Sequence, residues 1–419
     1  MYKNTMKRVA LIVLGLVLAS GTLVAKQYDF TYGQLFYKIT DAAKREVAVV
    51  PENSDYPYYN NEPTGAITIP ATVANGGNTY SVTSVGGGAF YGCTELTSIN
   101  IPNGVTKIEG STFYGCRRLT SINIPNSVKS IGHYAFKGCT GLTSITIPSS
   151  VKSIGESAFK GCTGLTSINI PNGVTKIENG TFSGCRELTS ISIPNSVTSI
   201  GRGAFFDCRR LTSINIPNSV KSIGHYAFED CSGLTSINIP SGITKIEGDT
   251  FLGCKGLTSI TIPNGVTSIG ERAFGWCRGL TSINIPNSVT SIGEDAFCKC
   301  SGLTSITIPS GVTKIENGTF QGCSGLTSIT LPSALDSIGS IGSEKIDSYD
   351  KGAFENCTRL TSINIPNGVR FVGKNTFKDC SGLTSITIPN GVTKIEYGTF
   401  SGCIYNHRTT KTNQKYPSV

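Results

Sequence analysis

Histidine is nearly absent from this 419-residue chain, and charge is thin. The three histidines are His133, His225 and His407. His133 and His225 hold equivalent places four repeats apart, which sets them about 19 Å from each other at ordinary strand spacing. They cannot share a metal or a proton relay, and His407 lies in the tail. Serine recurs without a His or carboxylate base in register, glutamates fall singly, and no glycine-rich phosphate cradle precedes a helix. Nucleophilic, paired-carboxylate and phosphoryl-transfer chemistry therefore have no residues to carry them. The sequence predicts no enzyme and no cofactor.

Asp, Glu, Lys and Arg together make up only 15% of the chain. The net charge of +9 comes from scattered side chains, with no basic run and no aromatic interleaving, which argues against a nucleic-acid footprint. No Cys-x-x-Cys pair has a matching His pair, so zinc is not expected. No segment after the N-terminus reaches the roughly 18 apolar residues of a membrane span. Lys3, Lys7 and Arg8 precede an apolar run from Val9 to Leu18 and then small residues, the order of a secretory signal over residues 1–25.

What the chain has instead is a period. Cysteine recurs at Cys93, Cys116, Cys139, Cys162, Cys185, Cys208, Cys231, Cys254, Cys277, Cys300 and Cys323, every step 23 residues. After an insertion at 340–350 the series resumes at Cys357, Cys380 and Cys403. A fixed period of this size means a stack of like coils. In the copy from Cys116, Leu119 leads into Ile122 and Ile124, which alternate as one face of a short strand, and Pro125 must end it for want of an N–H. Val128 and Ile131 turn inward on the opposite wall, and Phe136 and Cys139 close the coil. About 14 coils result, with Phe136 expected between Phe113 and Phe159.

Residues 26–64 lie outside the repeat. Leu35, Tyr37 and Ile39 alternate, as do Val47 and Val49, predicting a β-hairpin that caps the first coil, with Glu52 to Glu62 as a surface loop. The solenoid proper is assigned to 65–403, beginning at Ile67-Thr68-Ile69-Pro70 with a longer connection at Ala74 to Ser81. The tail, 404–419, offers Ile404 and Tyr405 to cover the last coil. A slower period of 69 residues marks Glu109, Glu178, Glu247 and Glu316, a duplicated three-coil cassette.

Each ladder cysteine occupies the same apolar slot and is expected to be reduced and inert, although stacked positions about 5 Å apart fall within disulfide limits. Cys298 stands outside the ladder and is expected to be exposed and reactive. Asp347 and Asp350 in the insertion lack the spacing of an EF-hand loop. The remaining candidate is the outward face of the strands, a sheet of short hydrogen-bonding groups: Ser121, Asn123, Ser144, Thr146, Ser167, Asn169, Ser190, Ser192, Ser213, Asn215, Ser236, Asn238, Ser259 and Thr261. Such a surface suits an extended polypeptide or glycan, but lacks the Tyr, Trp and Arg anchors of tight interfaces.

The string from Leu142 to Cys162, Leu-Thr-Ser-Ile-x-Ile-Pro through Ser-Ile-Gly to Ala-Phe-x-Gly-Cys, resembles the BspA-like leucine-rich repeat family. The likeness extends over 65–403, and the start Tyr28-Asp29-Phe30 followed by a hairpin is similar to the family's exported bacterial members. The resemblance implies a right-handed leucine-rich-repeat solenoid with a parallel β-sheet on one wall. It implies a secreted or cell-surface protein that adheres to host matrix proteins such as fibronectin or fibrinogen, with a glycan- or envelope-associated structural module as the alternative. The family offers no catalytic residues to carry over.

Overall fold

The computed structural model describes residues 25–339 and 351–404. The expected signal segment, the insertion with Asp347 and Asp350, and Tyr405 onward lie outside the described residues. No helix occurs among those described; most coils are made of two short strands and two turns, and at Thr261 and Asn284 the first-wall strand shrinks to an isolated bridge.

The first wall carries the strands that the repeat predicts, among them Leu96–Asn100, Ser121–Asn123, Ser167–Asn169, Ser190–Ser192 and Ser213–Asn215. They pair in parallel at a register offset of one copy, so that Ser167, Ile168 and Asn169 face Ser190, Ile191 and Ser192. Each is short because the proline that follows has no N–H to give the ladder. The second wall is a parallel ladder of two-residue strands such as Lys107–Ile108, Ser130–Ile131 and Ser153–Ile154.

Between the walls the core is a set of columns. Leu119, Val128, Ile131, Phe136 and Cys139 are buried, as are most of their counterparts along the stack, while Ile122 near the N-terminal end and Ile395, Phe400 and Cys403 in the last coil are only partly covered. Phe136 does lie between Phe113 and Phe159, with ring centroids 5.2 Å away on either side and nearly parallel planes. The column runs unbroken from Phe90 to Phe400, and it crosses the insertion through the Phe320–Phe354 pair at 5.3 Å.

The cysteines are free thiols with a directed role. From Cys116 onward each ladder Sγ–H donates to the carbonyl of the Phe in the preceding coil, at 3.0–3.3 Å. That oxygen already accepts its own coil's Cys N–H: Phe182 takes Cys185 N–H at 3.1 Å and Cys208 Sγ–H at 3.2 Å. The thiol thus fills an apolar slot and satisfies a second lone pair, which a Val or Ala in its place would leave bare. Threonines staple the other side, as Thr166 Oγ1 donates to the Thr143 carbonyl at 3.1 Å and Thr189 Oγ1 to Thr166 at 3.4 Å.

Tight turning between Phe and Cys places the residue before each cysteine in the left-handed region. Glycine usually serves, as at Gly184 (φ +73°), but Asp230 (+56°), Trp276 (+60°) and Lys299 (+56°) take the same conformation at a steric cost that glycine avoids.

The N-terminal hairpin forms. Strand β2 (Leu35–Asp41) pairs antiparallel with β1 (Phe30–Tyr32) and β3 (Glu46–Val50). β3 then joins the second wall in parallel with Asn78–Val85. Two stretches here are more ordered than the sequence alone suggested. The 74–81 connection is itself a hairpin, Thr72–Asn75 against Asn78–Val85, turned by Gly76 and Gly77 at positive φ. The 52–62 stretch is not merely a surface loop: Tyr59 is buried and its hydroxyl donates to the Ala89 carbonyl, while Glu52 binds the Asn60 backbone and side-chain nitrogens at 2.8 and 2.7 Å. At the other end Ile404 is 68% exposed.

Candidate interaction surfaces

Every one of the fourteen candidate residues of the sheet face, from Ser121 to Thr261, is exposed on the first wall. They form two columns beside the Thr column, whose hydroxyls are engaged with backbone carbonyls of the preceding coil. The parallel register brings equivalents of adjacent copies side by side, and at the N-terminal end the amides interlock, Asn123 Nδ2 donating to Asn100 Oδ1 at 2.7 Å. The face is long, flat and uncharged. Its chemistry is repeated hydrogen bonding without any one dominant group.

The anchors missing from this face gather on the edge formed by the turn between Phe and Cys. Tyr91 and Tyr114 stack along it at 4.5 Å, Tyr58 meets Tyr91 at 4.8 Å with its ring tilted, and the Lys137 ammonium lies over the Tyr114 and Tyr134 rings at 5.0 and 5.2 Å. Farther on, Ser157, Gly180 and Gly203 floor a depression of about 430 Å³ bounded by Lys160, Phe206, Glu229 and an Arg202–Tyr226 stack at 4.8 Å. Burial, with Asp249 and Asp230 nearby, lifts the Glu229 carboxyl from its ordinary 4.5 to about 7 against the pull of Arg272. A second depression, of about 370 Å³, lies beside Trp276 between Arg278, Lys299 and Asn356.

Sequence reasoning passed over this edge because it followed what the copies share. The signal lay in what they do not share: the two places between Phe and Cys hold Tyr91, Tyr114, Lys160, Phe206, Glu229, Trp276 and Lys299, while the core slots hardly change.

Charged pairs tie neighbouring coils together here. Arg186 and Arg209 both reach Asp207, at 2.8 and 2.5 Å, and Arg210 meets Glu187 at 2.5 Å. The cassette residues pair within one copy, Lys107 with Glu109 at 2.8 Å and Lys314 with Glu316 at 2.7 Å. His133 Nδ1 accepts the Glu156 N–H at 3.0 Å, and His225 Nε2 lies 3.3 Å from Glu247. Among the described residues no group of three or more His, Cys, Asp or Glu is placed to hold a metal ion, and no helix is long and apolar enough to cross a membrane.

Cys298 is not the exposed thiol that its place outside the ladder suggested. It is only 4% exposed, and burial pushes its thiol up to about 11. The cause lies one coil back. Gly275 has no side chain, and the Cys298 sulfur leans into the space, 3.2 Å from where a Cβ would stand.

Two parallel ladders, a leucine column and a phenylalanine column with a 23-residue repeat define a leucine-rich-repeat solenoid, a scaffold class whose ordinary work is binding. The chain belongs to the BspA-type leucine-rich repeat family, whose pattern matches residues 55–188, 152–280, 249–342 and 347–416. Three bacterial crystal structures are similar to it. A leucine-rich repeat protein from Bacteroides ovatus is 32% identical, with TM-score 0.66, over 90% of this chain and 93% of that one. A leucine-rich cell surface protein from Faecalibacterium prausnitzii is 32% identical, with TM-score 0.57, over 82% of this chain and 94% of that one. A leucine-rich repeat protein from Eubacterium ventriosum shares the fold at 23% identity and TM-score 0.51, over 91% and 96%. A comparison with curated protein sequences found no match.

Proposed function

We propose that this is a secreted or cell-surface protein, without catalytic activity, that adheres to other proteins through its first-wall sheet. The observation that carries the reading is the exposed Ser and Asn/Thr face, continuous over the central coils and free of charge. An extended polypeptide lying along it would meet the same groups every coil, so that weak contacts add by avidity. Host extracellular-matrix proteins such as fibronectin or fibrinogen are the partners that fit this use. The F. prausnitzii relative is described as a cell surface protein, which supports the location.

The test is biolayer interferometry of the folded protein on immobilised fibronectin, fibrinogen and collagen. A variant carrying Ser190→Lys, Ser192→Lys, Ser213→Lys and Asn215→Lys is run beside it. Saturable binding lost in the folded variant supports the reading. Binding that the variant retains moves the site off this face, and absence of binding at micromolar protein removes these partners in favour of a glycan- or envelope-associated role.

A further inference from the structure

The second depression of the turn edge holds two cations against one ring. Some cations of this stretch are matched: Arg272 lies 3.0 Å from Asp249, Lys351 2.6 Å from Asp295, and Lys378 3.3 Å from Glu355. Arg278 and Lys299 are not. Both lie over the Trp276 indole, at 4.9 and 4.3 Å from its centre, and among the described residues neither forms an ion pair. Two like charges held against one ring repel each other, and the carboxylate nearest the lining, Glu355, is engaged by Gln321 and Lys378 at 3.3 Å each.

The backbones of Trp276 and Lys299 are held by the stack. Trp276 N–H donates to the Cys298 carbonyl at 2.7 Å and Lys299 N–H to the Gln321 carbonyl at 2.6 Å, so each backbone is clamped by the coil above. Gly322 then leaves the floor open, since the Lys299 Cγ already stands 3.0 Å from where its Cβ would be. The rest of the lining is Ser301, Gln321 and Asn356, a hydroxyl and two amides.

We propose that this depression binds an acidic glycan, seating a sulfate or carboxylate of the sugar between Arg278 and Lys299. A guanidinium and an ammonium on one side of a shallow hollow form charge-assisted hydrogen bonds to an oxyanion. The hydroxyl and amides beside them both donate and accept, as sugar hydroxyls require. An acidic peptide is served less well, because the lining offers neither a free strand edge nor an apolar pocket for a side chain. The site is independent of the sheet face, so its failure would leave the adhesion reading untouched.

Trp276 is the only tryptophan of the chain, so its fluorescence reports this place alone. The full protein is titrated with heparin and with polygalacturonate, then with dextran, poly-L-glutamate and sodium sulfate. A saturable change with a charged glycan is expected, weakening as salt rises and absent with dextran. Arg278→Gln with Lys299→Gln should weaken it by about tenfold or more, whereas Lys129→Gln on the second wall should leave it unchanged. Interferometry on immobilised heparin repeats the comparison without relying on the indole. Equal affinity for poly-L-glutamate would overturn the glycan assignment. Saturation by sulfate alone at the same concentration would reduce the site to a simple anion contact, and no response in either assay would remove it.

Discussion

Replacing Phe205 by Ala should cut the molecule into two unfolding units. Phe205 is fully buried, and its ring centroid lies 5.5 Å from Phe182 and 5.4 Å from Phe228. Truncating a buried Phe costs about 3–5 kcal/mol, of which each lost ring contact supplies roughly 0.5–1.5 kcal/mol. In a stack whose coils touch only their neighbours, that loss falls on the two junctions either side of one coil and is not shared along the rod. The N-terminal half keeps its hairpin. Urea unfolding followed by far-ultraviolet circular dichroism and by Trp276 emission should give coincident curves for the parent protein. In the variant the Trp276 signal, which belongs to the C-terminal half, should move to lower urea while circular dichroism splits into two steps. One coincident transition shifted by less than about 1 kcal/mol would show that the phenylalanine column does not couple the coils.

Burial raises the ladder thiols, Cys162, Cys277 and Cys380 to about 12, so iodoacetamide at about pH 8 should leave them unlabelled in the folded protein. Mass spectrometry should find Cys403, which is only half-buried, modified first, and the remainder only after urea; early labelling of Cys298 would contradict its burial. Glu229 predicts a pH dependence. With its folded value raised to about 7, the native state keeps a proton that the unfolded chain has already released above about 4.5, so stability falls as pH rises through that window. Urea midpoints near pH 5 and pH 8 should differ in the parent protein and draw together in Glu229→Gln.

The repeat was legible because identical slots meet identical slots. Leu119, Val128, Ile131 and Phe136 are buried where their spacing put them, and Pro125 ends its strand as a residue without an N–H must. The hairpin over 35–50 was equally plain, since alternation is enough to define two strands. What escaped depended on neighbours a whole coil away. Cys298 is covered because residue 275 is a glycine, and Tyr59 is buried because it reaches the Ala89 carbonyl, neither of which local sequence records. The sheet face was legible as a surface, but the clustered Tyr, Trp and Arg of the turn edge were not, because they come from places where no two neighbouring copies need agree.

The bond from each cysteine thiol to the phenylalanine carbonyl behind it has one further consequence. Each coil carries the donor for the coil before it and the acceptor for the coil after it, so the junctions are interchangeable. Removing or adding a whole copy leaves every such thiol facing a carbonyl and shifts the far end by one strand spacing, about 4.8 Å. The chain is in this sense a ruler graduated in single copies, its core junctions alike at every mark.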